Sequence, residues 1–186
     1  VRILTHDRNQ GAARSRNEAL DLAEGEHISF VDSDDWIDPD FLERMYNEAV
    51  SSGMGVVTNY NWFFESEDEK WREQYTCPHY VDKDVGLYPT SLVVGSFYPV
   101  LWCRLYKSSF LRDNDIRFPD IKCAEDNYFT ALSEAVQGES YIFAGPFYHY
   151  RCRKSSLSRG SESEITYYHL LNFLELAIAL KERGIP

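Results

Sequence analysis

Basic residues are scarce in this chain. Nineteen Lys and Arg stand against 30 Asp and Glu over 186 residues, a formal charge of −11. That balance argues against a nucleic-acid partner, because backbone phosphates are held by an excess of lysine and arginine. Cysteine is also sparse. Cys77, Cys103, Cys123 and Cys152 show no C-x-x-C spacing, so neither a zinc knot nor a compact disulfide framework is indicated, and reduced thiols in a cytosolic compartment are the simpler account. No apolar run approaches membrane-spanning length, the first residues do not read as a signal peptide, and no internal repeat or low-complexity linker is present. What remains is long enough for one domain with a real core and too short for two comfortable ones. Aromatic residues make up 15% of the chain. Most of them belong to packing, with a minority suited to stacking on the C–H face of a sugar.

The chain is organised around Ile28-Ser29-Phe30-Val31-Asp32-Ser33-Asp34-Asp35-Trp36-Ile37-Asp38-Pro39. A short apolar run rich in β-branched and aromatic residues reads as a buried strand, and it leads into carboxylates that no strand interior holds unpaired. The acids therefore belong at the strand's carboxyl end, the edge of an α/β sheet where ligands bind. Hard oxygen ligands there call for Mg²⁺ or Mn²⁺ carrying a phosphate-bearing substrate. A blander account, helix capping, fits Asp38 and Asp40 ahead of the next helix, with Pro39 between them. It fits Asp32 and Asp34 less well, since capping needs one acid. A calcium loop of the EF-hand type fails on Trp36 and Ile37. An aspartate-nucleophile phosphohydrolase built on Asp32 remains an alternative.

Taken in order, Val1 to Thr5 reads as a strand with no upstream turn, as if cut from something larger. A helix from about Ala12 to Ala23 follows, closed by Gly25. Arg14 and Arg16 lie in its opening turns, where one of them is placed to reach a carboxylate or phosphate at the neighbouring strand end. Phe41, Leu42, Met45, Tyr46, Ala49 and Val50 form a second helical stripe ending at Ser52-Gly53, and Gly55 to Phe64 reads as a strand. Glu65 to Tyr88 is expected to be a long polar excursion of the lid or acceptor-side kind. After the apolar tract Val100 to Tyr106 comes a short helix, Ser108 to Asp113. Ala124-Glu125-Asp126-Asn127 then opens a helix buried through Tyr128 or Phe129, Leu132, Ala135 and Val136. Ordinary dipole stabilisation is the blander account of acids in a first turn, and it carries less weight once the acidic strand is considered. Strand character returns from Ser140 to Tyr150. The hydroxyl-rich basic stretch after it, with Arg151, Arg153, Lys154 and Arg159, suits an anion such as a diphosphate. A long helix from Ser163 to Arg183, apolar through Ile165, Tyr168, Leu171, Leu174 and Ile178, closes the chain.

Four of these segments, in this order, resemble a family 2 glycosyltransferase of the GT-A fold, the bacterial type that builds surface and capsular polysaccharides. Asn9-Gln10-Gly11-Ala12-Ala13-Arg14-Ser15-Arg16-Asn17 is similar to the family's glycine-containing turn ending in Arg-Asn. Asp32-Ser33-Asp34-Asp35-Trp36 resembles its D-x-D element. Trp102-Cys103-Arg104-Leu105-Tyr106-Lys107 through Phe118 looks like the tract before the catalytic acid, and Ala124-Glu125-Asp126 resembles the acidic pair that supplies the base.

The resemblance implies an α/β fold: a Rossmann-like nucleotide-sugar transferase domain with a mixed central sheet flanked by helices. It would span residues 1–160 with its N-terminal strand and helix missing, and residues 161–186 would form a helix packed on it or on a partner. It implies an inverting, metal-dependent transferase moving a sugar from a nucleotide donor, UDP-linked by expectation, to a hydroxyl of a glycan or lipid-linked glycan acceptor. Asp126 would be the base. Asp34 would hold Mn²⁺ or Mg²⁺, with His149 a further ligand or else a packed histidine. Asp32, Arg16, Trp102, Glu125, Arg151 and Arg153 would contact substrate. The expected setting is the cytoplasm, with peripheral contact at the inner face of the plasma membrane left open. Recognition of the nucleotide base would depend on an upstream part, and without it the segment should be poorly active. A non-catalytic nucleotide-sugar-binding module of the same fold is the further alternative.

Overall fold

The run ahead of the acids, expected as a buried strand, is a three-residue strand at the edge of a mixed sheet, His27–Ser29, half-buried and with Val31 beyond it exposed, in the computed structural model, which describes residues 1–65, 73–76, 86–89, 100–151 and 162–186. The elements in chain order are α1 (Ala12–Leu22), β1 (His27–Ser29), β2 (Trp36–Ile37), α2 (Phe41–Ser52), β3 (Val56–Asn59), β4 (Asn61–Glu65), β5 (Glu73–Thr76) and β6 (Gly86–Pro89). They are followed by β7 (Arg104–Lys107), α3 (Ser108–Asp113), α4 (Glu125–Gln137), β8 (Glu139–Phe143), β9 (Tyr148–Arg151) and α5 (Glu162–Glu182). Five strands pair in the order β1-β7-β3-β8-β6, parallel between β3 and β8 and antiparallel elsewhere. A second sheet runs β2-β9-β4-β5, parallel between β9 and β4.

Strand alternation divides the core into two. Val57 and Leu105 face one cluster with Phe41, Met45, Trp62, Trp102, Phe143 and Tyr148. Their neighbours Val56 and Tyr106 face the other, with Ala13, Phe118, Phe129 and Leu132. Burying each large side chain contributes about 1.5–3 kcal/mol, so helices lie on both faces of the first sheet. Arg104 sits in this interior, where its Nε and Nη2 donate to Glu134 Oε1 at 2.9 and 2.7 Å and its Nη1 donates to the Val100 carbonyl. Burial works against the Arg104 charge, but the groups facing it, Glu134 foremost, together prevail and raise the guanidinium pKa. Among the described residues Cys103 and Cys123 are free thiols, and no helix is long and apolar enough to cross a membrane.

Several expectations are corrected. Residues 1–5 form no strand and are exposed, with no pairing partner among the described residues. Helix α1 ends at Leu22, and Ala23 rather than Gly25 occupies its C-cap. The segment from Gly55 to Phe64 is two strands in two different sheets. The break follows from side chains that satisfy backbone groups locally. Asn59 Nδ2 donates to Pro146 O at 2.6 Å, and its Oδ1 accepts from Gly145 N at 3.0 Å and Asn61 N at 3.1 Å. The stretch from Glu65 to Tyr88 contains β5 and enters β6, so it is not structureless. Leu42, Tyr46 and Val50 of α2 are exposed, and only Phe41, Met45 and Ala49 of that stripe are buried. In α5 the packed face is Leu176, Ala179 and Leu180, with Leu174 and Ile178 turned outward.

Candidate active site

Three segments distant in sequence meet at Arg16. Its Nη1 donates to Glu125 Oε1 at 2.5 Å and its Nη2 to Asp32 Oδ1 at 3.3 Å, while the guanidinium carbon lies 5.6 Å from the Phe118 ring centre. Helix α1 carries Arg16 on its second turn, the acidic turn after β1 supplies Asp32, and the first turn of α4 supplies Glu125. Glu125 is buried, and a buried carboxylate persists only when paired. One residue on, Asn17 clamps the approach to α4: its Nδ2 donates to the Phe118 carbonyl at 2.9 Å, and its Oδ1 accepts from Phe118 N at 3.0 Å.

Asp126 stands beside this pair, partly buried. Burial pushes its carboxyl up to about 6, the charge of Glu125 adds to the rise, and Arg16 and the Asn127 N–H oppose it. Desolvation therefore outweighs the lowering expected at a helix N-terminus. The backbone just before the acids is unusual, for Ala124 holds φ +62°. An L-residue in that left-handed region costs on the order of 1 kcal/mol.

The acidic turn is braced from behind. Tyr148 Oη donates to Asp35 Oδ2 at 2.7 Å and accepts from Asp32 N at 3.1 Å, and Asp35 Oδ1 accepts from Arg151 N at 2.8 Å. Burial raises the Asp35 pKa against those donors, with the charges of Asp32 and Asp34 adding to the rise. With its oxygens engaged in this way, Asp35 ties the turn to β9, while Asp32, held by Arg16, and Asp34 are half-buried. This hard-oxygen pair fits Mg²⁺ or Mn²⁺, which typically take one or two carboxylates plus substrate phosphates. No group of three or more His, Cys, Asp or Glu among the described residues is arranged as a complete metal cage.

Of the two expectations for His149, metal ligand or packed histidine, the structure favours the second. Its Nε2 lies 2.8 Å from Asp38 Oδ1 and its Nδ1 3.2 Å from Glu65 Oε1, and the ring stacks between Trp36 and Phe63. With a carboxylate on each nitrogen and a ring on each side, it is a packed histidine and not placed as a metal ligand. Asp38 is likewise no helix cap. Burial would raise its pKa, but bonds from His149 and the Phe147 N–H prevail and lower it. Trp102 is also corrected: it is buried, stacked on Tyr148 at 4.1 Å and edge-on to Trp62, with no face for a substrate. Arg151 is exposed with its guanidinium over Trp36 at 5.1 Å, and Arg153 lies outside the described residues. A cavity of about 550 Å³ opens beside the Asn17 clamp, walled by Arg8, Gln10, Arg14, Phe118 and Asp120. None of Asp32, Asp34, Asp126 lines it.

Tyr148 was missing from the sequence reading. The signal was available in Tyr148-His149-Tyr150-Arg151, a strand whose alternation puts the two tyrosines on one face and His149 and Arg151 on the other. What it cannot reveal is that a core tyrosine reaches the acidic turn.

An acidic turn at the carboxyl end of an edge strand, joined across a mixed sheet to an acid pair opening a helix, defines the GT-A class of nucleotide-sugar transferase folds. Solved structures agree. Staphylococcus aureus TarS 1–349 in complex with UDP-GlcNAc superposes with TM-score 0.66 at 22% identity over 92% of this chain and 47% of that one. The description "Glycosyl transferase family 2" matches residues 1–107, and the chain belongs to that family. Among curated relatives, EpsH of Bacillus subtilis (strain 168) is 32% identical over 155 residues, 82% of this chain and 45% of that protein. The glycosyltransferase GlyA of Streptococcus pneumoniae serotype 4 is 30% identical over 161 residues, 81% of this chain and 22% of that protein. The chain therefore spans less than half the length of these relatives. Family membership removes the aspartate-nucleophile phosphohydrolase as an alternative.

Proposed function

We propose that the chain is the catalytic core of an inverting glycosyltransferase that moves a sugar from a UDP-linked donor to a hydroxyl of a glycan or lipid-linked glycan. The setting is surface polysaccharide synthesis in the cytoplasm. The observation that carries this reading is the Arg16 bridge, which draws the D-x-D turn and the Glu125-Asp126 pair into one site. A donor of this kind agrees with the UDP and UDP-GlcNAc named in the TarS complexes.

In this reading Asp126 accepts the proton of the acceptor hydroxyl. That oxygen bonds to the anomeric carbon, the bond from that carbon to the phosphate oxygen breaks, and its electron pair leaves with the nucleoside diphosphate, inverting the configuration. A carboxyl near 6 is ionised at neutral pH yet still basic enough to hold a proton in the transition state. Asp34, with Asp32 beside it, would hold Mn²⁺ or Mg²⁺, which when bound supplies charge neutralisation for the departing diphosphate. Arg16 keeps Asp32 and Glu125 in register, and Arg151, with Arg153, is assigned to the diphosphate from outside.

A thermal-shift screen of UDP-sugars with and without Mn²⁺ tests this directly. A rise in Tm with UDP-GlcNAc or another UDP-sugar only in the presence of Mn²⁺ is the predicted result. The absence of any nucleotide-dependent shift would count against it.

A further inference from the structure

Helix α5 packs on α4 through Leu176, Ala179 and Leu180, but two of its polar side chains flank the acid pair. Asn172 Nδ2 donates to the Cys123 carbonyl at 3.0 Å, immediately before the left-handed Ala124. His169 Nδ1 lies 3.1 Å from Asn127 Nδ2, immediately after Asp126. Asn127 is itself a holder of the acid, because its backbone N–H reaches Asp126 Oδ1 at 3.0 Å and the Ala124 carbonyl at 3.1 Å. Asn172 and His169 thus bracket Ala124, Glu125 and Asp126.

Packing alone does not call for this arrangement. Asn172 is 4% exposed, and its Oδ1 is buried with no hydrogen-bond partner. An orphaned buried acceptor costs about 1–3 kcal/mol, so an apolar residue would serve a simple helix contact better. The strained φ of Ala124 points the same way, since such a conformation lasts only where its surroundings over-determine it. A bond pulling on the preceding carbonyl does that.

We propose that Asn172 and His169 are positioning residues for Asp126, and that the C-terminal helix is an integral part of the catalytic site. The catalytic meaning rests on the reading of Asp126 as the base, but the physical claim does not. Releasing either bond lets the first turn of α4 open to solvent, so the Asp126 carboxyl returns toward its ordinary value.

The test is a ¹³C NMR titration of the Asp126 carboxyl, with amide exchange of residues 124–127, in His169→Leu, Asn172→Ser and the conservative His169→Asn. His169→Leu and Asn172→Ser should move the midpoint from about 6 at least halfway to 3.8 and speed exchange about tenfold or more. His169→Asn, which keeps an acceptor for Asn127, should match the parent chain. His169 is only half-buried, so its two variants decide the question even where Asn172→Ser does not fold. A folded His169→Leu with unchanged midpoint and exchange would overturn the proposal. Failure of the transferase reading would show separately, as absent transfer alongside a normal response to these substitutions.

Discussion

Asp126 works against the fold that holds it. In the unfolded chain it ionises near 3.8 and in the folded chain near 6, so the native state gives up stability as pH climbs through that interval. Above about 6 the penalty is complete, at most about 3 kcal/mol, and below about 4 it vanishes. Asp126→Asn is predicted to lower transfer two to four orders of magnitude while raising Tm at pH 7.5, with the gain in Tm disappearing at pH 4. A variant that loses activity without that pH-dependent gain would show that burial of the carboxyl is misassigned. Arg16 has the opposite character, stabilising through its partners. Arg16→Met leaves Glu125 buried and unpaired and is predicted to cost about 3 kcal/mol, much of it recovered in Arg16→Met with Glu125→Gln. Denaturant melts of the single and double variants give the comparison. Both clusters of acids were legible in the sequence as residues, Asp32-Ser33-Asp34-Asp35 after a strand and Glu125-Asp126 opening a helix. The partner of each was not: residues 16, 32 and 125 are brought together by tertiary packing.

At the scale of elements, the brace behind the acidic turn matters most. Tyr148 on β9 is core by its ring and part of the site by its hydroxyl, which joins Asp35 to the Asp32 amide. Tyr148→Phe keeps the ring and removes both bonds, so the stability loss is predicted to be about 1–3 kcal/mol. Affinity for Mn²⁺-UDP should fall with it. Calorimetry showing unchanged affinity would mean that the turn holds its shape without the brace. Most helices were legible from their periodicity, Ser108–Asp113 to the residue. Where reading failed, the cause was a local polar side chain or an outward-facing apolar one. Asn59 breaks one apparent strand into two by bonding the Gly145-Pro146 turn. The outer residues of α2 and α5 look like core in sequence, because apolar residues on an exposed face carry the same spacing as those beneath it.

At the scale of the molecule, the fold class was legible through the resemblance carried by four ordered segments. The pairing order was not, since β1-β7-β3-β8-β6 depends on contacts across the whole chain. His149 and Trp102 illustrate the same limit. Each is a residue type that suits a site, and each is taken up by packing, between Trp36 and Phe63 in one case and against Tyr148 and Trp62 in the other. The structure gives the pieces a common centre: the turn at residues 32–35 and the start of α4 are held by one arginine, braced by one tyrosine and flanked by the last helix.

The most direct measurement of that centre is anomalous diffraction from crystals soaked in Mn²⁺ and UDP. The account predicts a manganese peak about 2.1 Å from a carboxylate oxygen of Asp34, with diphosphate density between it and the Asp126 side of the site. A manganese and nucleotide bound elsewhere, with the acidic turn empty under the same soak, would contradict it.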